Sequence, residues 1–470
     1  TNSPAMPGGE GKTAVVVGGG LVGCMTGVLL ARDGYTVKVF ELREDYRSKA
    51  SDAANSSLHG QLTNTTKRSI NLALSHRGLC ALRAAGLEDK VMTEAVPMEG
   101  RMIHPAGVED CLATVFQPYE HRPGMSINSI SREELNTVLL EELESMQNVT
   151  VTFGAKFGGI SKASGLPLFG SKEIACDFIV GADGAFSKVR EELGRLVRLD
   201  FERKYIKHGY KELTIPAVKN GPGGGDYAMP PKALHIWPRH EFMLIGLPNL
   251  DGSFTCTLFM PFEDLDKLKT EDDVVAFFKE YFPDIAANNF ALMPTMLKDF
   301  FANPTSSLLS ITCDPWHYKD KLVCLGDAMH ATVPFYGQGM NAGFEDALRL
   351  QELLHETGHD REKAFAKFSE EMVPSRIGLC EVSLENYVDM RSNTANPFFT
   401  FKKKVEWAIG DFIPSWLPLY TMVTFTRTPY HIAIQRAQRQ DRIFYGMLSV
   451  IGASALVGAG GLLRRVLAAR

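Results

Sequence analysis

Gly18, Gly20 and Gly23 are the first residues whose types and spacing imply chemistry: they follow an apolar run ending at Val17 and precede one starting at Leu21. In such a triplet the first glycine allows a tight turn out of a strand. The second lets a pyrophosphate approach the backbone at a helix N-terminus, and the third brings helix and strand close together. Glu41 closes a second apolar strand further on, where a carboxylate can accept from an adenosine ribose hydroxyl. A glycine triplet alone fits any tight strand-to-helix turn; strand, helix, second strand and terminal acid together predict nucleotide binding. At residues 321–346 a buried strand ends in Gly326-Asp327, a glycine-rich loop follows, and a helix opens near Gly339. An aspartate there can accept from a polyol hydroxyl, and the helix N-terminus favours negative charge before it. Taken alone, this stretch reads equally well as a capped loop and helix. The glycines of 221–225 follow no apolar strand and open no helix, so they read as a turn and leave one nucleotide fold.

The elements that must position these residues change character along the chain. Strand, helix and strand alternate at the start, which predicts a parallel sheet, whereas 212–215, 234–237, 242–247 and 254–260 are short aromatic and β-branched runs between Pro, Gly and Asn turns. Those runs predict an antiparallel sheet in a second domain. The strand at 321–325 then returns to the first domain, which is discontinuous. Helices are expected near 79–85, from Ser131 with Glu134 as a capping box, near 273–281, and from about 365 onward. The expected division is a disordered 1–12, a nucleotide-binding domain at 13–205 and 300–364, a substrate domain at 206–299, a helical region at 365–442 and a membrane anchor at 443–463. Residues 48–67, rich in Ser, Thr, Asn and Ala, read as an exposed loop.

At 470 residues, with 45% hydrophobic and 22% charged residues, this is a folded protein of two or three domains. The net charge of -5 hides an asymmetry, because residues 421–470 hold seven arginines and a single acid, Asp441. A basic, hydrophobic tail points to a membrane surface and away from nucleic acid. Residues 443–463 are 21 positions without charge between arginine clusters, long enough at ~1.5 Å per residue to cross a bilayer, although five glycines and two serines dilute them. Residues 1–12 are polar and Gly/Pro-rich, unlike a signal peptide. The eight cysteines are scattered with no C-x-x-C, and read as reduced core thiols without a zinc site or disulfide frame.

Gly18, Gly20 and Gly23, then Asp183-Gly184, then Gly326-Asp327 stand in the order and spacing of the class A FAD-dependent aromatic hydroxylases, the group of p-hydroxybenzoate hydroxylase, and the chain resembles that family. Over roughly 12–465 it is similar to the branch that hydroxylates kynurenine. That similarity lies in RSINLALS at 68–75, RMIH at 101–104, HGYKELTIP at 208–216, HIWPR at 235–239, GQGMNAGFED at 337–346, ENY at 385–387 and PLYTMVTF at 418–425. It departs in the loop after Arg43 and at 107–124.

The resemblance implies an α/β fold: a Rossmann-type FAD-binding domain (p-hydroxybenzoate hydroxylase-like), an antiparallel-sheet substrate domain, a C-terminal helical region and a C-terminal transmembrane helix. It implies non-covalent FAD against Gly18, Gly20, Val22, Gly23, Glu41, Arg43, Ala73, Arg132, Asp183, Asp327, Met340 and Asn341. It places the amino-acid group of the substrate near Arg101, Tyr119, Asn386 and Tyr420. Arg101 makes physical sense there, since a guanidinium meets a carboxylate with two parallel hydrogen bonds. On residue type alone these four are ordinary side chains, and His330 a hydrogen-bonded structural histidine. The implied reaction is NADPH- and O₂-dependent hydroxylation of L-kynurenine to 3-hydroxy-L-kynurenine through a flavin C4a-hydroperoxide, in tryptophan catabolism and NAD biosynthesis. No catalytic side chain is required, because the flavin carries the hard chemistry. The family's setting, at the mitochondrial outer membrane with a cytosol-facing catalytic domain, makes membrane lipid a partner. Two other readings share the fold: a membrane-bound flavin epoxidase or monooxygenase of a lipid-like substrate, with no use for Arg101, and a non-enzymatic Rab escort-like prenyl-protein binder.

Overall fold

The computed structural model describes residues 8–47, 71–120, 122, 124–392 and 397–468, with backbone alone at 388–389, 391–392, 397–401, 403 and 450–468. Residues 1–7 of the expected disordered start, and the loop expected at 48–67, lie outside the described residues. The valine run Thr13–Val17 sits inside a six-stranded sheet in the order His317–Tyr318, Leu322–Cys324, Phe178–Gly181, Thr13–Val17, Thr36–Phe40, Val149–Thr152. All neighbours are parallel except His317–Tyr318. A parallel sheet needs cover on both faces, which explains its near-continuous Val and Ile composition. Helix Leu21–Arg32 packs on it and is itself covered by Arg132–Ser145 and Gly339–Glu356. Ser131 caps Arg132–Ser145, its Oγ accepting from the Glu134 N–H at 3.4 Å. The reciprocal capping box forms elsewhere, between Thr270 and Asp273 at the start of Glu271–Tyr281.

The aromatic and β-branched runs build a seven-stranded sheet in the order Ser306–Asp314, Asp200–Ile215, Phe254–Pro261, Phe242–Pro248, Ala233–Arg239, Gly100–Ile103, Val115–Pro118. Its pairs are antiparallel except Ala233–Arg239 with Gly100–Ile103. The sheet takes strands from 100–118 and 306–314 as well as from the 206–299 span. Side chains alternate between its faces. Trp237, Leu244, Phe254 and Leu258 pack under helix Glu271–Tyr281, while Ile103, Ile236, Met243 and Phe259 face Phe335 and Tyr387. A smaller sheet joins Asn71–Leu74, Ile127–Ser131 and Val96–Met98.

The C-terminal part is helical: Arg361–Ser392, Pro397–Phe412, Leu419–Phe425 and Tyr430–Ala468. Here one expectation is corrected. Among the described residues no helix is long and apolar enough to cross a membrane, so the transmembrane helix at 443–463, and the anchored location drawn from it, do not stand. The uncharged run is the distal part of one 39-residue helix, Tyr430–Ala468. Its proximal part carries Arg436, Arg439 and Arg442 and packs on Arg361–Ser392. Seven glycines and serines thin the apolar side chains of the run itself.

Candidate active site

The glycine turn is shaped as its spacing requires. Gly18 has φ +109°, and a Cβ there would lie 2.4 Å from the Ala182 carbonyl oxygen; one on Gly23 would lie 1.9 Å from the Gly18 oxygen. Gly20 differs: a Cβ would meet nothing within 4 Å. It is the N-cap of Leu21–Arg32 with no side-chain cap, and Gly20, Leu21 and Val22 line a cavity of about 450 Å³. Unfilled space against the free N–H groups of a helix start is a cradle for an anion, and it fits the pyrophosphate of a dinucleotide. Glu41 is buried at the end of its strand, one oxygen accepting from the Gly19 N–H at 2.7 Å and the other from the Arg43 N–H and Nε at 3.0 and 3.2 Å. Arg43 itself is exposed.

Opposite the turn, Gly326 adopts φ +63° with Val22 at 3.0 Å from its would-be Cβ, and Asp327 lines the cavity with Ala73, Arg132 and Met340. Asn341 does not line it. Its Nδ2 donates to Ala73 O and Gly337 O, and its Oδ1 accepts from the Ser75 N–H, all at 2.8–2.9 Å, so it holds the 73–75 segment against the helix. Asp183 is also occupied. Its carboxylate accepts from the Lys188 and Val189 N–H groups and from Ser187, capping Lys188–Leu196, while the backbone around it, Ala182, Gly184 and Ala185, forms the wall.

The same cavity is also lined by Arg101, Tyr336, Asn386 and Tyr420. Tyr119 lies just behind, 2% exposed and stacked on Tyr420 at 5.4 Å; Tyr336 stacks on Tyr420 from the other side at 5.6 Å. The Arg101 Cζ is 4.8 Å from the Tyr420 ring centre and 5.7 Å from that of Tyr119. Its Nε is buried without a hydrogen-bond partner, and among the described residues its electrostatic neighbours are tyrosines and no carboxylate. Burial works against its charge, but Tyr420, Tyr119 and Tyr336 outweigh burial and raise its pKa. The Tyr119 phenol is pushed well up by the same burial and by Tyr420. A buried guanidinium without a counter-ion in an otherwise largely apolar chamber has the chemistry to accept a carboxylate. Asn386 donates to the Phe335 carbonyl at 2.8 Å, tying Arg361–Ser392 to the wall.

Sequence reasoning missed an ionic cluster behind the cofactor side. Asp346 accepts from the Gly326 N–H, from Arg376 at 2.7 and 2.9 Å and from a short contact to His330 Nε2. Glu345 binds Arg77 through both oxygens at 2.7 Å and Arg376 at 3.0 Å. Arg77 donates to Val423 O and Thr428 O, and Tyr430 lies against it at 4.1 Å. Burial would raise the Asp346 carboxyl, yet Arg376 and His330 hold it down at about 2. The acids were visible within a motif, but nothing in the sequence pairs them with Arg77.

Comparison with known proteins gives the same picture. A family model described as an FAD binding domain matches residues 12–374. Kynurenine 3-monooxygenase of Sus scrofa is 42% identical over 455 residues, 94% of this chain and 91% of that protein; that of Christiangramia forsetii is 40% identical over 451 residues, 94% and 95%. Among solved structures, 2-methyl-3-hydroxypyridine-5-carboxylic acid oxygenase aligns with TM-score 0.63 at 20% identity, over 82% of this chain and 94% of its own. Pseudomonas aeruginosa PqsL in complex with 2-aminobenzoylacetate gives 0.65 at 18%, over 82% and 97%; both show the shared fold. With identity of this order along nearly the whole chain, the protein belongs to the kynurenine 3-monooxygenase family of FAD-dependent hydroxylases.

Proposed function

We propose that the protein converts L-kynurenine, NADPH, a proton and O₂ into 3-hydroxy-L-kynurenine, NADP⁺ and water. The observation that carries this reading is one cavity lined both by the open helix start at Gly20 and by Arg101, whose buried Nε has no hydrogen-bond partner. FAD, bound without a covalent link, supplies the activation of O₂ and the transfer of one oxygen atom. Gly20 with the first N–H groups of Leu21–Arg32 takes the pyrophosphate; Gly18 and Gly23 allow the turn. Glu41 and Arg43 take the adenosine side, and Ala73, Arg132, Asp327 and Met340 the remaining walls. Asp183 and Asn341 act through the backbone they fix.

Arg101 holds the substrate carboxylate, with Tyr119, Tyr420 and Asn386 around the amino-acid group. The substrate's ring then lies among Leu234, Ile245, Phe259 and Phe335, which exclude water from the reacting carbon. The chain's contribution is orientation and dryness, and no side chain is assigned as acid or base. The alternative of a lipid-like substrate leaves Arg101 as a buried cation without purpose. A prenyl-protein binder would not need the open cradle at Gly20. The test is NADPH oxidation by the flavin-loaded protein with and without kynurenine, measuring 3-hydroxykynurenine as product. Oxidation that kynurenine does not stimulate, with no hydroxylated product, overturns the reading.

A further inference from the structure

Behind the strand that carries Arg101 lies a buried polar chain that the cavity does not use. Side chains alternate along Gly100–Ile103, so Arg101 enters the cavity from one face while His104, just past the strand, enters the helix-covered layer on the other and stacks on Trp237 at 3.8 Å. His104 Nε2 meets His235 Nδ1 at 2.9 Å, and His104 Nδ1 meets Asp284 Oδ2 at 3.0 Å. His235 Nε2 donates to Pro230 O at 2.8 Å, and Trp237 Nε1 donates to Asp284 Oδ2. All four side chains are buried.

The proton order of this chain is determined. A carbonyl oxygen only accepts, so His235 carries its proton on Nε2, and burial keeps that ring neutral by pushing its pKa down to about 3. Its Nδ1 can then only accept, which places a proton on His104 Nε2. A further proton must lie between His104 Nδ1 and Asp284 Oδ2, since two lone pairs would otherwise face each other at 3.0 Å in an apolar layer. The backbone of His104 is held as well: its N–H donates to Ile236 O at 2.9 Å and its carbonyl accepts from Arg239 Nη1 at 3.1 Å. On the cavity side, by contrast, the Arg101 guanidinium meets rings but no carboxylate. Apart from those rings, its placement depends on a strand of four residues.

We infer that His104, ordered by His235 and Asp284, is a positioning residue for Arg101: it locks the end of Gly100–Ile103 against Ala233–Arg239 and thereby sets where the guanidinium meets the substrate carboxylate. The inference rests on Arg101 as the carboxylate clamp. A displacement of about 1 Å in such a clamp can cost up to two orders of magnitude in rate, and a retained but misplaced charge costs less than its removal.

The test is a double-mutant cycle on the flavin-loaded full chain. His104→Gln should lower kcat/KM for kynurenine by about tenfold, mainly through KM, with flavin content and the KM for NADPH unchanged. In an Arg101→Met background the same change should cost less than about twofold, because there is no guanidinium left to position. Asp284→Asn should repeat the pattern and serves as the second variant if His104→Gln loses flavin. Equal losses in both backgrounds overturn the inference while leaving the clamp intact. Loss of flavin by both variants also overturns it, since the chain would then support the whole fold. Arg101→Met without effect on kynurenine removes the clamp, and the positioning role with it.

Discussion

Arg101 has tyrosine rings on the cavity side and no anionic partner, and a carboxylate entering a dry site needs such a fixed cation. Arg101→Met keeps the length and removes the charge. Turnover of kynurenine should fall by at least about thirtyfold in kcat/KM, charge-assisted bonds being worth roughly 2–3 kcal/mol, with flavin content unchanged. Arg101→Lys should recover only part, because an ammonium cannot make the fork. The loss should be confined to substrates that bear the carboxylate; equal impairment on kynurenine's decarboxylated analogue would show that Arg101 supports the flavin or the fold instead. In the same cavity, Gly20→Val would push a branched side chain into the open space beside the turn's glycines. That variant should purify with little flavin, and a full flavin absorbance would defeat the pyrophosphate assignment. These glycines could be read from spacing because their constraint is local. The occupied carboxylate of Asp183 and the occupied amide of Asn341 could not, since their partners are set by packing.

Helix Gly339–Glu356 shows how two adjacent acids serve different masters. Asp346 holds the Gly326 turn, His330 and Arg376, while Glu345 holds Arg77 and Arg376 and so reaches the segments around Val423 and Thr428. The Asp346 carboxyl lies at about 2, below its ordinary 3.8. A depressed acid contributes stability that is present above the unfolded value and is lost as pH falls through the folded one. The Asp346 share, on the order of 2 kcal/mol, should therefore disappear between about pH 4 and pH 2. Thermal unfolding followed by flavin release should show that acid limb in the wild type. Asp346→Asn should flatten it and should also destabilise the protein near neutral pH by about 3 kcal/mol or more, because the buried Arg376 loses a counter-charge. An unchanged acid limb in the variant would place the titration elsewhere. The glycine-rich loop after Gly326-Asp327 predicted this helix at its start near Gly339, but the pairing of Glu345 with Arg77 depends on further elements folding around it.

The parallel core was readable because βαβ units are contiguous and their apolar runs are strong. The second sheet was readable as antiparallel, but the strand next to its edge strand Val115–Pro118 was not. Gly100–Ile103 is four residues long and joins Ala233–Arg239 in parallel, a pairing that no local pattern announces. The tail was misread for a related reason. Length, lack of charge and flanking arginines suggested an anchor, whereas Tyr430–Ala468 begins inside the protein, with Tyr430 and Ala433 fully buried and Tyr430 against Arg77 and Arg376. Ending the chain before Arg427 should thus empty the flavin site, read as loss of visible absorbance from the purified protein. Retention of full absorbance would show that the cavity stands without this helix.

The cavity's walls come from Gly20, Ala73, Arg101, Gly184, Asp327 and Tyr420, so successive parts of one chamber are synthesised far apart in time. The glycine turn is complete early, but of the tyrosines around Arg101 only Tyr119 lies in the same part of the chain, and Tyr336 and Tyr420 follow much later. Domains otherwise begin to fold as they leave the ribosome. Cofactor capture in this protein therefore waits for Tyr420: a nascent or prematurely terminated copy that lacks it, however well its first sheet has formed, has a nucleotide turn but no closed chamber, and should remain colourless.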